Sequence, residues 1–215
     1  MYFYGAQFFC DDHHLQDPDP SAHFPNVVIF GEAGVGKSSL INLIIGQDQV
    51  QTSSDARPCT GHIHGYNVTI DRRPFKIWDT VGLDGGGWIS ARLAAWNLKL
   101  FLSQMLKRNE LGLLVYCVRA SRVTATIRRH YETFYSQVCG ESTVPIVIVL
   151  NGCERQDMDS WWEENGHGYS NFAFRGHACT TTLPNTPNDT TLQDRRAYSR
   201  RVVHRLISQH CLPRE

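Results

Sequence analysis

Residues 26–38 read NVVIFGEAGVGKS. The first five form a short β-branched run suited to a buried parallel strand. The run ends in Gly31-Glu32-Ala33-Gly34-Val35-Gly36-Lys37-Ser38, which matches G-x-x-x-x-G-K-[ST] at every position. A helix is expected from near Gly36, carrying Leu40, Ile41, Leu43, Ile44 and Ile45 until Gly46 closes it. Glycines let the backbone curl so that successive N–H groups converge on a phosphate, and the helix start adds its positive dipole end. On this reading Lys37 reaches the β- and γ-oxygens of a nucleoside triphosphate and the Ser38 hydroxyl ligates Mg2+. The bland alternative is a chance glycine-rich turn, and the succession of strand, loop, Lys-Ser and amphipathic helix argues against it.

A site of this kind needs a second element, at the end of a neighbouring strand, that holds the metal's outer shell and senses the γ-phosphate. Ile77-Trp78-Asp79-Thr80-Val81-Gly82 supplies it, about 40 residues downstream. Asp79 can hold a Mg2+-bound water, and Gly82 can offer its N–H because no side chain blocks the approach. Between the two lies the polar stretch QDQVQTSSDARPCTG, where a loop threonine would complete the metal site. Thr60 is the candidate, with Thr52 as competitor.

The remaining pattern sets the fold class. HIHGYNVTI and RRPFKIWD alternate about a tight polar turn near Asp71 to Arg73 and read as a β-hairpin. Residues near 88 to 108 carry helical periodicity through Leu93, Trp96, Leu100 and Leu102. LGLLVYCV and VPIVIVL are buried strands separated by a helix near 124 to 138. FAFRGHACT reads as a last strand, and 189 to 210 as a closing amphipathic helix. Strands alternating with helices imply an α/β fold in three layers, a mostly parallel central sheet with helices on both faces, whose ligands bind at the carboxyl ends of the strands. The expected domain runs over 25–212. Residues 1–24 open on aromatics, turn acidic and proline-rich in DDHHLQDPDP, and read as a poorly ordered extension with no core of its own.

Lys and Arg number 21, as do Asp and Glu, so no global field draws the chain onto nucleic acid or an anionic membrane. The cluster Arg195, Arg196, Arg200, Arg201, His204 and Arg205 reads as a solvated helix face, and no nucleic-acid partner is evident. Seven scattered cysteines without a CxxC pair suggest free thiols in a reducing compartment. No apolar run approaches the ~20 residues of a transmembrane segment, so the expected location is cytoplasmic.

The string GEAGVGKSSLINLI, then a threonine, then WDTVGL resembles the G domain of TRAFAC-class P-loop GTPases. Within that class it looks most like the septin-like and immunity-associated (AIG-type) GTPases and related fungal G-domain proteins. The resemblance implies GTP/GDP and Mg2+ as cofactors. Gly31 through Ser39 would be the phosphate loop, Thr60 the switch I threonine, and Asp79 to Gly82 the switch II motif. The metal would fall to Ser38, Thr60 and Asp79. The family reads guanine with N-K-x-D. The matching place here is Asn151-Gly152-Cys153-Glu154, which keeps the asparagine and a carboxylate but loses the lysine. Guanine is therefore favoured, with an ATP-binding protein as the alternative. Cys179-Thr180 is the candidate for the last base-contacting loop.

Many such GTPases follow D-x-x-G with a glutamine that orients water, whereas this chain has Leu83, which cannot hydrogen-bond to it. Slow hydrolysis is expected, and a homodimer through the nucleotide face would suit that leucine. No catalytic residue is visible; Glu32 and Asp84 are guesses from proximity. The competing class is a non-hydrolysing binding or assembly module. Among weaker signals, His62 and His64 read as surface histidines, Gly85 to Gly87 as a hinge or an ordinary flexible loop, and Trp161-Trp162 as packing rather than a docking pair.

Overall fold

The computed structural model describes residues 24–46, 63–85, 87–140, 144–154, 157–184 and 189–213. Its strands are β1 (Asn26–Phe30), β2 (His64–Ile70), β3 (Arg73–Asp79), β4 (Leu111–Arg119), β5 (Ile146–Asn151) and β6 (His177–Thr180). They form one sheet of order β2-β3-β1-β4-β5-β6. All neighbours are parallel except the β2–β3 hairpin at one edge. β1 and β5 are buried at every position and β4 at all but its last, because both faces of the sheet are covered.

Alternation along β1 divides the core. Val27 and Ile29 face α1 (Lys37–Ile45) and α5 (Thr190–His210), meeting Leu40, Ile41 and Ile44 from the first and Val203 and Ile207 from the second. Val28 and Phe30 face α2 (Trp88–Lys107), α3 (Ala125–Tyr131) and α4 (Met158–Asn165). On that side Phe30 stacks on Tyr116 with centroids 4.7 Å apart and meets Phe134 edge-on at 5.8 Å. The three-layer α/β architecture expected from the sequence is the one observed.

Local differences have physical reasons. The α3 stretch does not run as one α-helix to 138. It passes into a π-turn at Glu132–Ser136, closed by Gln137 N–H donating to Glu132 O at 2.9 Å, which brings Phe134 and Tyr135 into the same core as Ile127 and Tyr131. The last strand is only His177–Thr180. Phe172 and Phe174 instead pack on the ring of Tyr131, at 4.8 and 5.4 Å. Trp161 is core, and Trp162 stacks on His177 at 3.8 Å, so the tryptophan pair does pack.

The largest difference is in α2. Its buried side is Ala94, Leu98, Leu102 and Met105, whereas Leu93 and Trp96, which the sequence periodicity suggested as core, are 56% and 59% exposed. The helix has a second apolar stripe, and its spacing is as regular as that of the buried one.

The β2–β3 hairpin turns through Asp71 and Arg72, both with positive φ, 49° and 65°. Asp71 is held by Ser208 Oγ, which donates to Oδ2 at 3.1 Å, while Arg72 is exposed. A left-handed conformation strains any side chain with a Cβ. Arg72→Gly should therefore raise the unfolding free energy by about 0.5–1 kcal/mol, measured by urea titration; a loss of stability would show that the arginine side chain itself holds the turn.

Candidate functional site

At the carboxyl end of β1 the chain turns through Gly34 (φ 75°) and Gly36 (φ 91°) into α1. Gly36 is the N-cap, no side chain caps the helix, and its first turn carries no acidic residue. The N–H groups at the start of α1 are therefore not taken by a side-chain cap and sit in an uncompensated positive dipole, as an anion requires. A Cβ on Gly36 would lie 2.8 Å from Asn151 Nδ2, so the loop is also too close to β5 for any other residue. Lys37 is 7% exposed and donates from Nζ to Glu32 O at 2.8 Å, which lays the ammonium across the mouth of the loop. Burial pulls its pKa down, opposed by the charges of Asp79 and Glu32 among others.

β3 runs beside β1 in parallel, with Ile29 opposite Asp79, so the end of β3 arrives at the loop. Ser38 Oγ donates to Asp79 Oδ2 at 2.9 Å. The other oxygen, Asp79 Oδ1, is buried without a hydrogen-bond partner. Desolvation raises the Asp79 pKa, against the opposing effects of the Ser38 hydrogen bond and the Lys37 charge. A carboxylate with one orphaned oxygen, beside a serine hydroxyl and an ammonium, has the donor chemistry that would suit a hydrated Mg2+ next to an anionic ligand. Thr80 Oγ1 donates to Ile29 O at 2.8 Å and pins this strand end to β1.

The segment after Asp79 lies on the phosphate loop through its backbone. Ala33 N–H donates to Leu83 O at 2.7 Å and Leu83 N–H to Gly31 O at 3.0 Å, a parallel bridge centred on Glu32 and Leu83. Gly82 faces Ala33 so closely that a Cβ there would lie 2.6 Å from Ala33 Cα. The Leu83 side chain is 1% exposed and packed in the α2–α3 core. Asp84 does not turn toward the loop. Its Oδ2 accepts from Arg129 Nη2 at 3.1 Å and from His130 Nε2 at 2.9 Å, both on α3, so it is no candidate to orient water in this arrangement. Burial lowers the His130 pKa despite the adjacent carboxylate. The neutral ring suits its surroundings, Nε2–H donating to Asp84 and Nδ1 lying 3.4 Å from the Tyr116 hydroxyl.

Asn151, at the end of β5, joins three strand ends. Its Nδ2 donates to Val35 O at 3.0 Å and Gly36 O at 3.2 Å and lies 3.2 Å from Cys117 Sγ, while Oδ1 accepts from Thr180 Oγ1 at 2.5 Å. The side chain is thereby used up in shaping the loop. Beyond it Gly152 has φ 94°, Cys153 N–H donates to Thr180 O at 3.1 Å, and Arg195 donates to Cys153 O at 2.8 Å. Glu154 is half-buried and accepts from Thr181 Oγ1 at 3.3 Å. Cys179 and Thr180 belong to β6 and are buried, so the loop that follows the last strand begins at Thr181, two residues later than the sequence suggested.

The fold therefore brings Gly31 to Ser39, Asp79, Gly82, Asn151 and Glu154 to one end of the sheet. Thr60, Thr52 and His62 lie outside the described residues. Sequence reasoning missed the Asp84–Arg129–His130 cluster, whose partners lie 45 residues apart with no motif to join them. It also missed Arg195, which had been grouped with a solvated face. Among the described residues the five cysteines are free thiols, no cluster of metal-binding side chains occurs, and no helix is long and apolar enough to cross a membrane.

Comparison with known proteins places this geometry. Residues 26–152, more than half of the chain, match the family described as 50S ribosome-binding GTPase. The "Probable GTP-binding protein EngB" of Paraburkholderia phymatum is 28% identical over 154 residues, 70% of this chain and 66% of that protein. The chain thus spans just under two thirds of the length of such relatives. Among solved structures, Toc33 from Arabidopsis thaliana in complex with GDP and Mg2+ superposes with a TM-score of 0.58 at 18% identity, covering 88% of this chain and 87% of its own. Era of Aquifex aeolicus bound to GDP and AlF4− gives 0.64 at 13% identity, covering 90% and 59%. At those identities the likeness is one of fold.

A buried carboxylate with an orphaned oxygen opposes folding until a cation arrives. In Mg2+-free buffer without nucleotide, Asp79→Asn should raise the thermal midpoint by about 2–4 °C, because the amide still accepts from Ser38 and carries no charge. An unchanged or lowered midpoint would show that Asp79 is not held against a desolvation cost.

Proposed function

The chain belongs to the 50S ribosome-binding GTPase family, and we propose that it works as a Mg2+-dependent GTP switch with slow intrinsic hydrolysis to GDP. The observation that carries this reading is the meeting of Lys37, Ser38 and the half-satisfied Asp79 at the positive end of α1, which no side chain caps. Gly31 to Ser39 cradle the phosphates with main-chain N–H groups, and Lys37 exchanges its contact with Glu32 O for phosphate oxygens. Ser38 and Asp79, with Thr60 from the stretch between α1 and β2, are the proposed metal partners. Mg2+ held there would supply positive charge to offset that of the phosphates.

Gly82 is the proposed γ-phosphate sensor. Its segment already touches the loop through the Ala33–Leu83 pair, so a third phosphate that displaces those two hydrogen bonds would shift the segment leading into α2, and one that reinforces them would hold it in place. Glu154 is the proposed guanine acceptor, set on a chain segment braced by Thr180 and Arg195, while Asn151 acts by shaping the loop. Leu83, buried and apolar, leaves attacking water without an orienting partner, which supports slow turnover.

The finer kinship to septin-like and immunity-associated GTPases is supported by GEAGVGKSSLINLI and by Leu83 in place of glutamine. A homodimer through the nucleotide face is the proposed route to faster hydrolysis. Dimerization is important for the GTPase activity of the chloroplast translocon components atToc33 and psToc159, which share the fold.

Titration calorimetry with Mg2+ should show GTP binding at least about tenfold tighter than ATP, Glu154→Gln should erase most of that preference, and Lys37→Ala should weaken both nucleotides by about 100-fold or more. Tighter ATP binding overturns the base assignment, and full affinity in Lys37→Ala overturns the site.

A further inference from the structure

The exposed stripe of α2 is the feature that the nucleotide site does not use. Ile89, Leu93 and Trp96 are 60%, 56% and 59% exposed and follow at i, i+4 and i+7. At about 100° per residue they centre on the side of the helix opposite Ala94, Leu98, Leu102 and Met105. A helix buried on one side gains nothing from an apolar stripe on the other unless something covers it. Arg92 and Lys99 flank the stripe, Lys107 ends the helix, and Arg108 follows. Residues 88–108 contain no Asp or Glu, so every formal charge that this helix itself carries is positive.

We propose that the stripe is the docking surface for the N-terminal segment of this same chain, residues 2–12. That segment has the complementary chemistry. Tyr2, Phe3, Tyr4, Phe8 and Phe9 supply aromatic rings, Asp11, Asp12, Asp17 and Asp19 supply negative charge, and residues 1–24 contain no Lys or Arg.

Reach is ample. β1 starts beside the C-terminal end of α2, where Asn26 Nδ2 donates to Glu110 O at 2.9 Å. Trp96 lies 11 residues back from Lys107, about 16 Å along the helix, and Ile89 about 27 Å. The 15 residues from Phe24 back to Phe9 span up to about 50 Å when extended. The area also fits a short segment better than a second copy. Three half-exposed side chains offer on the order of 400 Å2, about half of what each partner contributes to a stable protein interface.

Docked there, the aromatic residues shield Trp96 from water and the aspartates lie against Arg92 and Lys99. Because α2 follows directly on the Asp79–Gly82 motif, the segment would ride on the element that the nucleotide moves. Its docking does not depend on which nucleotide is bound.

The test uses the full chain labelled with 5-fluorotryptophan, the Trp96 19F signal being assigned by its loss in Trp96→Phe. A soluble gadolinium chelate reports solvent access. Trp96 should be shielded in the parent chain, and its broadening should rise by about threefold in F8S/F9S and by a smaller amount, mimicked by added salt, in D11K/D12K. Nucleotide affinity of these variants should stay unchanged, which separates this test from that of the switch reading. Equal broadening in the parent and F8S/F9S overturns the proposal. So does shielding that grows with protein concentration, which would assign the stripe to a second copy.

Discussion

One side-chain amide sets the shape on which the rest of the site depends. Asn151 holds the carbonyls of Val35 and Gly36 with its nitrogen and takes the Thr180 hydroxyl with its oxygen, so β5 and β6 are fastened to the phosphate loop from behind. A glycine-rich loop has many conformations of nearly equal energy, and ordering it costs more entropy per residue than ordering any other backbone. By holding two successive carbonyls, the amide selects the one conformation whose N–H groups point outward. The Gly36 turn and the start of α1 follow from that choice, and so does the placement of Lys37.

The second strut comes from the opposite side. β3 delivers Asp79 and Leu83, the first to Ser38 and the second to the backbone of Gly31 and Ala33. The loop is thus held between the end of β5, which fixes its rear, and the end of β3, whose contacts can be exchanged. Only the second kind of contact can report on a ligand, because breaking the Asn151 bonds would leave buried polar groups without partners. The division between permanent and exchangeable contacts follows the order of the sheet, β3-β1-β4-β5, in which the loop of β1 has β3 on one side and is reached across β4 from the other.

Much of this was legible in the sequence, and for identifiable reasons. β1, β4 and β5 are uninterrupted apolar runs, a pattern that only strands covered on both faces maintain. The glycine-rich loop and D-x-x-G were readable because chain segments that pass as close as Gly36 to Asn151 and Gly82 to Ala33 tolerate few residue types. Helix α2 misled because Leu93 and Trp96 recur with helical spacing as regularly as Leu98, Leu102 and Met105, and periodicity alone does not say which of two stripes meets the sheet. The role of Asp84 was invisible because its partners are on α3, and the span of β6 was overcalled because Phe172 and Phe174 look like strand residues while serving an aromatic cluster around Tyr131.

The fastening of Asp84 to α3 bears on how a signal leaves the site. Its carboxylate is shared by a surface guanidinium and a buried imidazole, and it sits one residue beyond Leu83 with φ 62°, a conformation few non-glycine residues keep without support. A displacement that begins at Gly82 meets this rivet before it reaches α2. On the proposed switch reading, the strand-end loop couples to two helices, to α3 through the paired Asp84 and to α2 through the backbone that follows it, and the division between them is set by how firmly one carboxylate holds a guanidinium and an imidazole N–H.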